Sequence, residues 1–225
     1  MMMKANSRDE VNRHYRGLYA ITHEVAQYSP AALCDQVTAA IRGGARIIQY
    51  RHKALNATLR DQQARALLRC CRDHAVPLII NDDVALAAAI GADGVHLGGD
   101  DMDLSTARAQ LGEEAIIGTS CYNSIELAID AQLHGANYVA FGRFFASNTK
   151  PLAITAHLTL LREAKQQLKI PIVAIGGITP ANGKTLLDAG ADMLAAINGV
   201  FAPPDIRAAA QQYTQLFTPT DAQTA

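Results

Sequence analysis

The chain has 225 residues, 49% of them hydrophobic and 18% charged, with a formal net charge of −1. This composition supplies a sizeable core and lacks the cationic excess of a nucleic-acid or membrane-surface binder, so neither partner is expected. No apolar run approaches the roughly 20 residues of a membrane span, and residues 1–16, MMMKANSRDEVNRHYR, lack the apolar stretch of a secretory signal.

After that polar N-terminal extension, short β-rich runs alternate with longer helical ones. The strands read GLYAIT (17–22), ARIIQYR (45–51), PLIIND (77–82), GVHLG (94–98), AIIGTSC (115–121), NYVAFGRF (137–144), PIVAIGG (171–177) and MLAAING (193–199). Alanine- and leucine-rich segments such as TLRDQQARALLRCCRDHA and SIELAIDAQLHGA lie between them. Near-continuous apolar strands, each followed by a helix, make a parallel sheet covered by helices. Eight such repeats predict an α/β fold, a single (β/α)8 barrel over residues 17–217, with a short tail at 218–225. A doubly wound open sheet is the alternative, but no GxGxxG follows the first strand. Glycines in GGA (43–45), GAD (91–93), HGAN (134–137) and GAD (190–192) stand where helices end, as left-handed caps. Cys34, Cys70, Cys71 and Cys121 show no CxxC or metal-ligand spacing and read as reduced structural thiols in a cytoplasmic protein.

In such barrels the chemistry sits at the C-terminal ends of the strands. Strand 2 ends in IIQYRHK, with Gln49, Arg51 and Lys53 on one face at steps of about 6.6 Å. Two cations so close repel unless their ends are simply solvated or an anion lies between them. Strand 3 exits in Asn81, Asp82 and Asp83, and strand 4 in GGDD with Asp100 and Asp101. Thr119, Ser120, Tyr122 and Asn123 follow strand 5, and SNTK (147–150) follows strand 6. Asp82 and Asp101 are hard oxygen ligands suited to Mg²⁺ beside phosphate. Each also has a plain role as a helix cap, which suits Asp83 better than Asp82 and suits Asp101 as well. Gly176 and Gly177 after strand 7, and INGV after strand 8, expose backbone N–H groups where this fold usually holds phosphate. His96 reads as a satisfied core residue, and His52 alternates away from the Gln49–Lys53 face. No Ser-His-Asp arrangement emerges.

QYRHK, IINDDVALAAAIGADGVHLGGDD, SNTK and VAIGGIT, in that order on successive strands, resemble the thiamine-phosphate synthase family. The resemblance spans roughly residues 17 to 217. It implies a transferase that joins 4-amino-2-methyl-5-(hydroxymethyl)pyrimidine diphosphate to a thiazole monophosphate, plain or carboxylated, and releases pyrophosphate. By the same resemblance Gln49, Arg51, Lys53, Asn81 and Lys150 hold the diphosphate, and Asp82 and Asp101 hold Mg²⁺. Ser120, Ser147, Thr149, Gly177, Ile197 and Asn198 line the rest of the site and the thiazole phosphate. Arg51, Lys53, Lys150 and Ser120 are the residues expected to act on the reacting bond. The implied mechanism is dissociative and needs no side-chain nucleophile. Lys150, followed by Pro151, is expected to close over the bound diphosphate on the loop after strand 6.

The chain departs from the family pattern in three places. Ser147 stands where threonine is common, Asn198 where serine is common, and Cys121-Tyr122 where a small residue and histidine follow the strand 5 serine. A thiazole tautomerase-like barrel would lose parts of the diphosphate and metal set, which this chain keeps. A non-catalytic phosphate-binding barrel would need the strand 7–8 site but not paired aspartates. The partners expected are therefore small molecules, and a homo-oligomer is compatible with the sequence.

Overall fold

The computed structural model describes residues 15–24, 28–99, 101–146 and 155–218. Strands β1 (Gly17–Ile21), β2 (Ala45–Tyr50), β3 (Leu78–Asn81), β4 (Gly94–Leu97), β5 (Ile116–Tyr122), β6 (Tyr138–Phe141), β7 (Ile172–Ile175) and β8 (Met193–Ala196) close into a barrel in chain order. Every pair is parallel, including β1 with β8. Around it run α1 (Pro30–Arg42), α2 (Ala57–Asp73), α3 (Val84–Ile90), α4 (Leu104–Leu111), α5 (Ile125–Leu133), α6 (Leu158–Gln167), α7 (Pro180–Asp188), the one-turn α8 (Asn198–Phe201) and α9 (Ile206–Thr214). This is the (β/α)8 barrel that the alternating runs predict. Among the described residues no helix is long and apolar enough to cross a membrane.

Several strands stop earlier than expected. β6 ends at Phe141 rather than 144, and β8 at Ala196 rather than 199, because Gly142 leaves the sheet and Asn198 opens α8. β5 runs one residue further, to Tyr122, through a register shift against β6 between Ser120 and Tyr122. Of the helix-end glycines, Gly44, Gly91, Gly135 and Gly190 take positive φ, whereas Gly43 stays right-handed. All four cysteines are free thiols. Residues 1–14 and 219–225 of the expected extension and tail fall outside the described residues.

Period-two alternation separates two cores. Leu18, Ala20, Ile48, Tyr50, Leu78, Ile80, Val95 and Leu97 face the helices, while Tyr19, Ile21, Ile47, Ile79, Tyr138, Val173 and Met193 fill the barrel interior. The starts of three strands are pinned by the residue after a GA dipeptide. Asp93 Oδ2 accepts from Leu78 N at 2.8 Å, Asn137 Oδ1 from Ile117 N at 2.8 Å, and Asp192 Oδ2 from Ile172 N at 3.0 Å. Each of these side chains, just ahead of its own strand, thus satisfies an N–H at the start of the preceding one.

Gly118 in β5 is a crowded interior position, because a Cβ there would collide with the Tyr138 ring. Gly118→Ala therefore overpacks the barrel and costs about 1–3 kcal/mol. At roughly 2–4 °C per kcal/mol for a chain of this size, thermal unfolding shows the loss as a lower Tm.

Candidate active site

The strand exits enclose a cavity of about 390 Å³. Gln49, Arg51, Asn81, Ser120, Gly177, Ile197 and Asn198 all line it, as their places at strand exits led us to expect. Tyr19, His96, Tyr122 and Arg143 line it too; the sequence reading placed Tyr122 at the strand 5 exit and His96 in the core, and passed over Tyr19 and Arg143. Ser147, Thr149 and Lys150 lie outside the described residues, as does Asp100.

Lys53 behaves differently from its neighbours in IIQYRHK. β2 ends at Tyr50, so the two-residue alternation lapses beyond Arg51, and Lys53 turns to the next strand. Its Nζ lies 2.8 Å from Asp82 Oδ2. It faces an adjoining cavity of about 560 Å³ together with Asn81, Asp82, Asp83, Arg60 and the buried His52. Asn81 borders both spaces. Arg51 keeps the inward direction, and its guanidinium is paired with Glu24. Its backbone N–H donates to Thr22 Oγ1 at 3.0 Å, which ties the β1 and β2 exits together.

The aspartates divide into caps and site residues. Asp83 Oδ1 accepts from Leu86 N at 2.8 Å and so caps α3. Asp103, not Asp101, caps α4, accepting from Thr106 N at 2.9 Å. Asp82 and Asp101 are thereby left to face each other within hydrogen-bond reach. Asp101 Oδ2 is held by Gly98 N at 2.6 Å, and Asp82 by Lys53 from a left-handed backbone, φ 63°. For a residue other than glycine such a conformation is uncommon, though aspartate adopts it more readily than most. Burial pushes the Asp82 carboxyl up, but hydrogen bonds from Lys53 and Asp101 outweigh it and hold the group below its ordinary value. Burial first, then the hydrogen bond with Asp82, push the Asp101 carboxyl up. Asp82 thus contributes stability at neutral pH that is lost as pH falls through its folded value, whereas ionising Asp101 as pH rises costs stability. Two carboxylates forced together in this way suit a hard divalent cation, whose usual protein ligands are one or two carboxylates.

On the opposite side, Gly176 and Gly177 have φ of 99° and 65°, and the chain from Arg143 to Ala146 runs directly against them. A side chain at Gly177 would meet the Ala146 carbonyl, so both conformation and space require glycine. Tyr213 in α9 braces this side, its hydroxyl donating to Ile178 O at 2.8 Å and packing against Gly199. Tyr122, in the place of the family histidine, accepts from Gly99 N at 2.9 Å and so ties the β4 and β5 exits. Cys121 beside it is fully buried and lines neither of these two cavities.

His96 is held on both nitrogens. Nδ1 meets Tyr138 Oη at 3.0 Å and Nε2 meets Ser120 Oγ at 2.9 Å. The expectation of a satisfied core residue is therefore half of the truth, since the same ring lines the cavity.

A closed parallel barrel with its polar groups gathered at the strand exits defines a (β/α)8-barrel enzyme. The model of the thiamine monophosphate synthase family matches residues 18–200, and the chain belongs to that family. It is 53% identical over 204 residues to the thiamine-phosphate synthase of Nitrosococcus oceani, covering 90% of this chain and 93% of that one. It is 47% identical over 222 residues to that of Nitrosospira multiformis, covering 96% and 94%. Among solved structures, the thiamine phosphate pyrophosphorylase from Pyrococcus furiosus superposes with a TM-score of 0.80 at 33% identity, covering 91% and 96%.

The facing carboxylates carry a prediction that does not depend on turnover. In divalent-free buffer at neutral pH, Asp101→Asn leaves the Tm unchanged or higher, because it removes one of two crowded charges. Asp82→Asn lowers it by stripping Lys53 of its partner. A Mg²⁺ ion held by this pair would raise the Tm of the parent and not that of Asp101→Asn. Differential scanning calorimetry reads all three.

Proposed function

We propose that the chain makes thiamine monophosphate, joining an aminopyrimidine diphosphate to a thiazole monophosphate and releasing pyrophosphate. The observation that carries this reading is a single cavity with a cationic and amide-lined side at Gln49, Arg51 and Asn81 and a glycine-lined side at Gly177 and Asn198. Membership of the family supports the same activity.

On this reading Arg51 and Asn81 orient the diphosphate, with Lys53 reaching it from the Asp82 side. Arginine offers five N–H donors, so Arg51 can keep Glu24 and still bind phosphate oxygens. Asp82 and Asp101 would hold Mg²⁺, which when bound offsets the charge gathering on the departing diphosphate. The bond between the pyrimidine methylene and the diphosphate oxygen breaks with its electron pair leaving on oxygen. The thiazole nitrogen then supplies the pair for the new C–N bond. Gly177, Ile197 and Asn198 hold the thiazole phosphate so that this nitrogen waits beside the methylene, which accelerates the step by position. The walls at Ile21, Ile175 and Ile178 limit water, which would otherwise capture the cation.

Assayed with both substrates, the protein is expected to release pyrophosphate and form thiamine phosphate in equal amounts. Arg51→Ala weakens the pyrimidine diphosphate far more than the thiazole phosphate in separate titrations, and equal losses would mean one merged anion site. The same reading gives Lys150, in the SNTK segment that follows β6 in sequence, a contact with the diphosphate. Lys150→Ala then lowers kcat on the order of 10²-fold with the Tm unchanged, and Lys150→Arg restores part of it.

A further inference from the structure

On the outer layer of the barrel, Cys34 and Cys70 face each other across the seam between α1 and α2. Cys70 Sγ lies 3.8 Å from the Cys34 carbonyl oxygen and 3.2 Å from Thr38 Oγ1. The two thiols are themselves within hydrogen-bond reach. Thr38 follows Cys34 by one turn of α1, so a thiol and a hydroxyl on one stripe are presented to Cys70. About two turns earlier on α2, Gln63 Nε2 donates at 2.8 Å to the carbonyl of Tyr28, just ahead of α1. The two helices thus run side by side, and their register brings the sulfurs together.

The four cysteines are not alike. Cys34 and Cys70 are half-buried and open to a small reagent, whereas Cys71 and Cys121 are fully buried. Consecutive residues of a helix point about 100° apart, so Cys71 joins the core cluster of Leu67 and Leu68 while Cys70 faces α1. A Cys70–Cys71 bridge would need those directions to converge, and α2 would have to unwind. Within the facing pair the roles differ as well. Burial first, then Cys70 beside it, push the Cys34 thiol up to about 11, so it stays protonated at neutral pH. The attacking species in thiol chemistry is the thiolate. Cys70 has the Thr38 hydroxyl alongside, which can donate to the sulfur once its proton is gone.

We propose that Cys34 and Cys70 are a redox-active dithiol that closes into a reversible disulfide joining α1 to α2, with a low-molecular-weight disulfide as the oxidant. The Cys70 thiolate attacks one sulfur of the oxidant, forming a mixed disulfide and releasing one small thiolate. Cys34 then gives up its proton and attacks Cys70 Sγ, which releases the second small thiolate. The two cysteines lose one electron each, the oxidant takes up both, and the two protons leave with the two small thiols. The residues between Cys34 and Cys70 become a closed loop, which constrains the unfolded chain and so stabilises the fold. Neither sulfur lines either cavity at the strand exits, so this site stands apart from the function proposed above.

The test uses the full folded chain, oxidised glutathione and tryptic digestion without reduction. Mass spectrometry is expected to find the Cys34 peptide cross-linked to the Cys70 peptide, and dithiothreitol to separate them. Cys70 and Cys71 share a tryptic peptide, Cys-Cys-Arg at 70–72, so variants assign the sulfur. Cys70→Ser and Cys34→Ser are expected to abolish the cross-link, and Cys71→Ser to keep it. Should the buried Cys71 variant not fold, Cys70→Ser decides alone. Calorimetry of the parent is expected to show the oxidised form melting about 5–10 °C above the reduced one. Glutathione adducts without a cross-link, a cross-link that survives Cys70→Ser, or a bridge between Cys70 and Cys71 overturns the proposal. A Tm left unchanged or lowered by the cross-link overturns it too, since the bond would then have formed by distorting the seam.

Discussion

The bond between the Tyr19 and Tyr138 hydroxyls is the contact on which both halves of the barrel interior depend. The two rings meet edge to face at 5.7 Å, large apolar bodies packed with Ile47, Ile79, Val173 and Met193. Their polar tips are sealed from water, and a buried hydroxyl left unpaired costs on the order of 1–3 kcal/mol. Each tip must therefore find a partner, and the partners within reach are Gln49 and His96, which line the cavity. Packing the core and orienting the floor of the site thus become one problem with one solution. Gly118 belongs to it as well, since only a residue without a side chain leaves room for the Tyr138 ring.

The two ends of the barrel use aspartate for different purposes. At the strand starts Asp93 and Asp192 accept backbone N–H groups of neighbouring strands, which is purely structural. At the exits Asp83 and Asp103 accept from the first turns of α3 and α4. Once these caps are provided, Asp82 and Asp101 have no helix to serve, and the loops bring them together. A carboxylate beside another carboxylate costs stability at neutral pH unless a positive charge shares the site, and Lys53 at 2.8 Å from Asp82 supplies one.

Strand alternation made most of the cavity wall legible. Gln49, Asn81 and Ser120 lie on inward-facing strand positions, and Gly177, Ile197 and Asn198 just past the ends of β7 and β8. The reading weakened where alternation stops: Arg51, one residue past β2, still faces the cavity, while Lys53, two further on, faces Asp82. His96 was read as a core residue because one strand does not reveal what lies across the barrel; its partner Tyr138 is 42 residues away and on β6, not on an adjacent strand. Arg143 was hidden for the opposite reason. It reads as part of a strand, yet β6 ends at Phe141 and the loop carries the side chain to the cavity. The cap at Asp103 was missed in favour of Asp101, since spacing alone does not say which of two nearby aspartates begins a helix.

The cations that crowd the exits of β2 and β3 are each matched before any ligand arrives. Arg51 has Glu24, Lys53 has Asp82, and Arg60 has Asp83 at 3.0 Å. Matching answers the repulsion that IIQYRHK poses, because no two positive groups are left to face each other alone. These pairs are partly exposed, and ion pairs of that kind contribute little net stability. An anion can therefore share or take over a cation's contacts at small cost to the fold. The same weak pairs that keep the cations from repelling one another keep them open to exchange, which suits the diphosphate chemistry proposed above.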